Sequence, residues 1–174
     1  MSTRKIALLA ILIALCVVGR QAFAFIPNVQ PVTAIIIICS FWLGPVSGVL
    51  LAAGSTVASN MLLGSGTWTL FQIISWSFIG VTSGLLGKYV KKIPLLLFAF
   101  YAGVCGLVYG FVISLERVII GKMFWPYYLA GLPFDMMHAI GNIIFFVLLY
   151  PILSTVIVSQ ASPFIQREKK DPLY

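Results

Sequence analysis

The amino-acid sequence predicts an all-α integral membrane protein of six transmembrane helices, and three observations predict it. Of the 174 residues, 61% are hydrophobic and only 9% charged, against about 45–50% apolar and about 25% charged in soluble domains. A water-soluble globule of this size exposes too large a share of its surface to hide so many apolar side chains. The apolar residues also gather into runs of membrane-spanning length, and the basic residues gather between alternate runs. At roughly 20 residues per span, the length allows six or seven spans and no separate soluble domain. A soluble enzyme is excluded.

The runs cover about 6–26, 32–43, 45–63, 67–87, 93–120 and 133–158. The first follows Arg4-Lys5 and closes before Pro27-Asn28-Val29-Gln30-Pro31. The second reaches only about 18 Å at 1.5 Å per residue, short of the roughly 30 Å hydrocarbon core. Whether it is a span of its own is decided by charge. With six spans and the N-terminus inside, Arg4, Lys5, Lys88, Lys91, Lys92, Arg167, Lys169 and Lys170 are all cytoplasmic, and only Lys122 lies in an outer loop. Five spans would move the two later clusters outside, against the positive-inside rule. The third run opens at Gly44-Pro45 and the fourth at Gly64-Ser65-Gly66-Thr67-Trp68. The fifth follows Lys91-Lys92-Ile93-Pro94, and the sixth follows a long loop from Gly121 to Pro133. Pro94 and Pro133 fall where a helix begins, since a missing N–H needs no partner there. Residues 1–165 are expected to form one membrane domain and 166–174 a basic cytoplasmic tail. Ala22-Phe23-Ala24 imitates a signal-peptide cleavage site, but Arg20 and Gln21 interrupt the region before it, so the first run is read as a retained helix.

Several chemistries are excluded by what the chain lacks. It has a single histidine, His138, so a multi-histidine zinc site is impossible, and no metal or other cofactor is expected. Cys16, Cys39 and Cys105 sit singly in apolar runs and read as small buried hydrophobes. The nearest approach to a nucleotide loop is Gly84-Leu85-Leu86-Gly87-Lys88-Tyr89. A phosphate loop needs glycine where Thr82 stands and Ser or Thr where Tyr89 stands, so any ATP is hydrolysed by another chain. The net charge of +7 is accounted for by topology rather than nucleic-acid binding.

Scarce charge makes the ionisable residues within the spans legible, because an ionisable group in lipid needs a function or an internal partner. Arg20 lies about 15 residues, roughly 22 Å, above the inner end of the first span. Glu116, Arg117, Asp135 and His138 reach the same outer half. Arg20 reads as a substrate ligand or as a partner of Glu116, and Glu116-Arg117 reads as a cap on the fifth span. Asp135, near the start of the sixth, is favoured by the helix dipole alone. His138 and Asn142 continue its face at i+3 and i+7, a polar stripe that must turn inward, to pack or to touch a ligand. Phe124-Trp125-Pro126-Tyr127-Tyr128 and Trp68 give two aromatic outer loops beside Asn28 and Gln30. These are interfacial belts or lids over a cavity, and Gln72 and Trp76 carry that surface inward. Apolar walls with a few convergent polar groups are the usual build of a small-molecule site.

Small residues mark close helix contacts. Gly44/Gly48, Gly80/Gly84 and Gly106/Gly110 have GxxxG spacing and read as internal packing. Ala7, Ala10 and Ala14 share one face of the first helix, which is open to internal packing or to another subunit.

Laid out in this way, the chain resembles the substrate-binding S components of energy-coupling factor (ECF) vitamin transporters. The resemblance spans nearly the whole sequence. It rests on the length, the six spans, Arg20…Phe25-Ile26-Pro27-Asn28-Val29-Gln30-Pro31-Val32, Gly64-Ser65-Gly66-Thr67-Trp68-Thr69…Gln72…Trp76…Gly80, and the Ala10/Ala14 pair. It implies a subunit of a bacterial plasma membrane that binds a vitamin from outside, under the outer loops. Such a subunit topples when docked on a transmembrane coupling protein driven by two ATPases. Ala7, Ala10 and Ala14 would be the docking face; Arg20, Asn28, Gln30, Trp68, Gln72, Trp76, Tyr127, Asp135, His138 and Asn142 the candidate site. The loop motifs look most like the group assigned to cobalamin, a bulky, amide-rich and nearly neutral ligand. His138 then invites comparison with a cobalt ligand, although a lone histidine is more often a hydrogen-bonded core residue. Pantothenate or another small anionic vitamin, with Arg20 as its partner, is the alternative within the family. A self-sufficient secondary transporter is the alternative outside it, and would need ionisable groups continuing across the midplane.

Overall fold

The computed structural model describes residues 1–90 and 92–170, with side chains to residue 160. The described residues form an all-helical membrane protein: α1 (Thr3–Ala22), α2 (Val32–Leu43), α3 (Pro45–Leu63), α4 (Trp68–Tyr89), α5 (Leu95–Ser114), α6 (Glu116–Ile119) and α7 (Phe124–Lys170). Five segments are long and apolar enough to cross a bilayer, and α2 is the short exception.

The length of α2 follows from its position. Ten of its 12 residues are buried, from Val32 to Phe41, and it touches α1, α3, α4, α5 and α7. A helix that is apolar on every side belongs in an interior, and one walled by protein need not match the bilayer. The turn into α3 is a single residue, Gly44, whose φ of 86° suits a residue without a Cβ. Pro45 then opens α3 at its first turn.

Tight helix contacts use the glycines. Gly48 and Gly80 face each other across α3 and α4, and Gly84 lies against the backbone of Gly44 and Pro45. Gly103, Gly106 and Gly110 of α5 meet Ile143, Ala139 and Asp135 of α7, in reverse order. The glycine spacings therefore serve internal packing, and α5 runs antiparallel to α7. At the end of the bundle where α2 finishes, Lys5 donates from Nζ to the Leu43 carbonyl at 3.2 Å, satisfying one of the free carbonyls that end α2.

The region after α4 departs from the expectation. The run 93–120 breaks at Leu115, and the stretch expected as a loop from Gly121 to Pro133 is helical from Phe124 onward. Aromatic packing at helical spacing is the reason. Phe124 and Tyr128, one turn apart, stack with centroids 5.5 Å apart, and the Phe111 ring meets both edge-on. Pro126, not Pro133, occupies the first turn of α7, where its missing N–H costs nothing. Pro133 lies in the helix interior, so the Leu129 carbonyl has no i+4 N–H to accept. Asp135 is thus more than three turns into α7, too deep for the helix dipole to account for it. α7 continues through 166–170 of the segment read as a tail, and 171–174 lie outside the described residues.

Candidate ligand-binding site

The end of the bundle where α1, α3 and α5 finish, and α2 and α4 begin, holds a connected polar seam. It starts at Arg20, two residues before the end of α1. One guanidinium nitrogen donates to Ser59 Oγ and to Asn60 Oδ1, each at 2.6 Å, and the guanidinium lies 5.5 Å from the centre of the Trp76 ring. Asn60 donates onward to Gln72 Oε1 at 2.8 Å and to Thr69 Oγ1 at 2.9 Å. Gln72 donates to the Tyr109 hydroxyl at 3.1 Å.

The direction of this relay is set by Arg20. A guanidinium only donates, so Asn60 must turn its oxygen to Arg20 and its NH2 to Gln72. Gln72 must then accept through oxygen and present its own NH2 to Tyr109. Both amide orientations follow from one fixed charge.

A second branch runs from the same aromatic pair. Tyr109 stacks on Trp76 with centroids 4.9 Å apart, and Trp76, fully buried, donates from Nε1 to Thr33 Oγ1 at 2.9 Å. Thr33 stands 3.1 Å from His138 Nε2, and His138 Nδ1 stands 2.7 Å from the Asn28 carbonyl. A carbonyl only accepts, so Nδ1 carries the proton, and Nε2 accepts from the Thr33 hydroxyl. Both ring nitrogens are used, which leaves His138 no free nitrogen for a metal.

Asn28 secures the α1–α2 connection to α7 from both ends of its residue: its carbonyl meets His138 and its side chain donates to the Phe134 carbonyl at 3.0 Å. Gln30 is buried without a side-chain hydrogen bond to a described residue. Asp135, 6% exposed, also makes none. It lies so close over Gly110 that a Cβ there would collide with its carboxylate. Asn142 is fully buried; it donates to the Ala102 carbonyl at 3.3 Å, and its Oδ1 has no partner. The inward stripe of Asp135, His138 and Asn142 is confirmed by burial.

Two expected members stand apart. Trp68 is half-exposed and folds its ring over Gly66. Tyr127 is half-exposed and accepts from Arg117 at 3.0 Å, with the guanidinium 4.1 Å from its ring centre. The expected pairing of Arg20 with Glu116 does not occur. Arg20 is held by neutral groups, and Glu116, buried at the start of α6, accepts from the Thr67 hydroxyl and so ties down the α3–α4 connection.

Sequence reasoning missed Thr33, Ser59, Asn60, Thr69 and Tyr109, which complete the seam. Asn60 carried the clearest signal: a buried amide in an apolar run needs an internal partner. On the other side of the assignment, Ala7, Ala10 and Ala14 are exposed on α1, so that face does not serve internal packing.

A family model described as "ECF transporter, substrate-specific component" matches residues 4–160. No curated protein and no solved structure matches the chain.

Proposed function

We propose that this chain, which belongs to the ECF transporter substrate-specific component family, captures a vitamin in the polar seam around Arg20, Gln72, Trp76 and Tyr109 and hands it to a coupling module. Membership makes it a membrane transport subunit that acts with an ECF module and is not itself catalytic. The proposed substrate is cobalamin, on the likeness of the loop motifs, with pantothenate or another small vitamin as the alternative. One observation carries the site assignment: the bundle gathers the partly buried Arg20 and buried Asn, Gln, Asp and His side chains toward one end, among stacked aromatics. The build suits a small polar ligand entering from that side.

The basic residues support a topology with that end outside and both termini in the cytoplasm of a bacterial plasma membrane. In this reading the exposed Ala7, Ala10 and Ala14 meet the coupling protein, two ATPase subunits supply the energy, and the subunit topples to release its ligand inward. A self-sufficient proton-coupled carrier is disfavoured because Arg20, Glu116, Asp135 and His138 all stay near one end instead of forming a relay across the bundle.

Mass spectrometry of ligand co-purified with the protein, followed by calorimetric titration with cobalamin and pantothenate, tests the assignment. Saturable one-to-one binding of cobalamin supports it. Binding of pantothenate alone moves the assignment to the alternative, and binding of neither refutes both.

A further inference from the structure

The two charged groups of the seam that lack a counter-charge among the described residues are of opposite sign and lie on opposite sides of it. On the α1–α4–α5 side Arg20 and Tyr109 have donors left over. Arg20 uses one nitrogen for Ser59 and Asn60, and its other two bond no described residue. Tyr109, buried, accepts from Gln72, and its own O–H meets no acceptor among the described residues. On the α7 side Asp135 and Asn142 have acceptors left over. Among the described residues the Asp135 carboxylate has no hydrogen-bond partner, and Asn142 Oδ1 is buried without one. Asp135 lies against Gly110, the residue next to Tyr109, and Asn142 follows two turns along the same face of α7, against Gly106.

Buried polar groups are nearly always paired, and an unpaired charge in a membrane interior is costlier still. Arg20 and Asp135 do not neutralise each other here, and neither has a counter-charge elsewhere in the described chain. A partner from outside the chain that satisfies both must offer acceptors to one side and donors to the other.

We propose that the substrate is a dipolar molecule, with an anionic group held by Arg20 and the Tyr109 hydroxyl, and N–H donors held by Asp135 and Asn142 Oδ1. This rests on the substrate-capture reading and narrows it to a class. Purely cationic compounds leave Arg20 unpaired, and purely anionic ones without N–H groups leave Asp135 unpaired.

The test uses the full chain in lipid nanodiscs, as wild type, R20Q, D135N, Y109F and K122Q. The co-purified ligand is identified by mass spectrometry. Cobalamin, pantothenate and thiamine (a cation with no acidic group) are titrated as defined probes. The ligand is expected to contain both an acidic group and N–H donors. R20Q and D135N are each expected to weaken its binding at least tenfold and Y109F at least threefold, with K122Q within twofold and thiamine not bound. If R20Q or D135N does not fold, as judged by its ligand-free melting curve, Y109F decides, since it removes one hydroxyl only. A ligand without an acidic group, or unchanged affinity in the folded variants, overturns the dipolar class while substrate capture stands. Absence of binding by the wild type overturns both.

Discussion

Trp76 donates its indole N–H to the Thr33 hydroxyl at 2.9 Å, joining α4 to the buried start of α2. The same hydroxyl satisfies His138, so one small side chain holds three helices in register beneath the candidate site. Thr33→Val keeps the shape and removes both bonds. Leaving a buried donor or acceptor unsatisfied costs about 1–3 kcal/mol each, so the variant is expected to melt several degrees lower in detergent and to bind ligand more weakly. An unchanged melting curve would mean that Thr33 is not the junction.

The α3–α4 contact depends on the absence of side chains at its centre. A Cβ on Gly48 would lie 2.8 Å from the Gly80 Cα, and overpacking of this kind costs about 1–3 kcal/mol. Gly48→Val is expected to reduce the yield of folded protein and its melting temperature. Gly131→Ala, where nothing lies within 4 Å of the added carbon, is expected to be neutral or stabilising by up to about 1 kcal/mol.

Asn28 holds a left-handed backbone, with φ of 59°, which asparagine tolerates and β-branched residues do not. Asn28→Val is expected to cost about 1–2 kcal/mol from the backbone alone, and to speed hydrogen exchange in the α1–α2 connection. Asn28→Gly keeps the conformation and loses only the side-chain bond to Phe134, so its exchange should lie between that of Asn28→Val and the wild type.

The exposed alanine face of α1 gives a separable phenotype. Ala10→Trp or Ala14→Trp is expected to leave ligand affinity within twofold and to abolish uptake by the assembled transporter. Loss of binding by the isolated variant would instead place that face inside the fold.

The spans were legible because apolar runs and basic residues alternate, and the inward stripe of α7 because Asp135, His138 and Asn142 repeat at helical spacing. The glycine spacings announced close packing, but not that Gly48 of one span meets Gly80 of the next, since partners across helices leave no local pattern. The aromatic stretch at 124–128 read as a loop because Pro133 suggested the start of the sixth helix, whereas ring stacking at i and i+4 makes it the first turn of α7. Arg20 was visible as a costly charge. Its true partners, Ser59 and Asn60, lay 39 and 40 residues away, and a neutral amide signals its partner less loudly than a carboxylate would. Glu116 therefore looked the better match, although Thr67 holds it.

The central claim is that this chain captures substrate and relies on other subunits to move it. The most direct measurement compares binding with uptake for the purified chain in proteoliposomes, using radiolabelled cobalamin, with and without an ECF module and ATP. Binding that saturates at one ligand per chain, with accumulation only when the module and ATP are both present, is the predicted result. Concentrative uptake by the chain alone would contradict it.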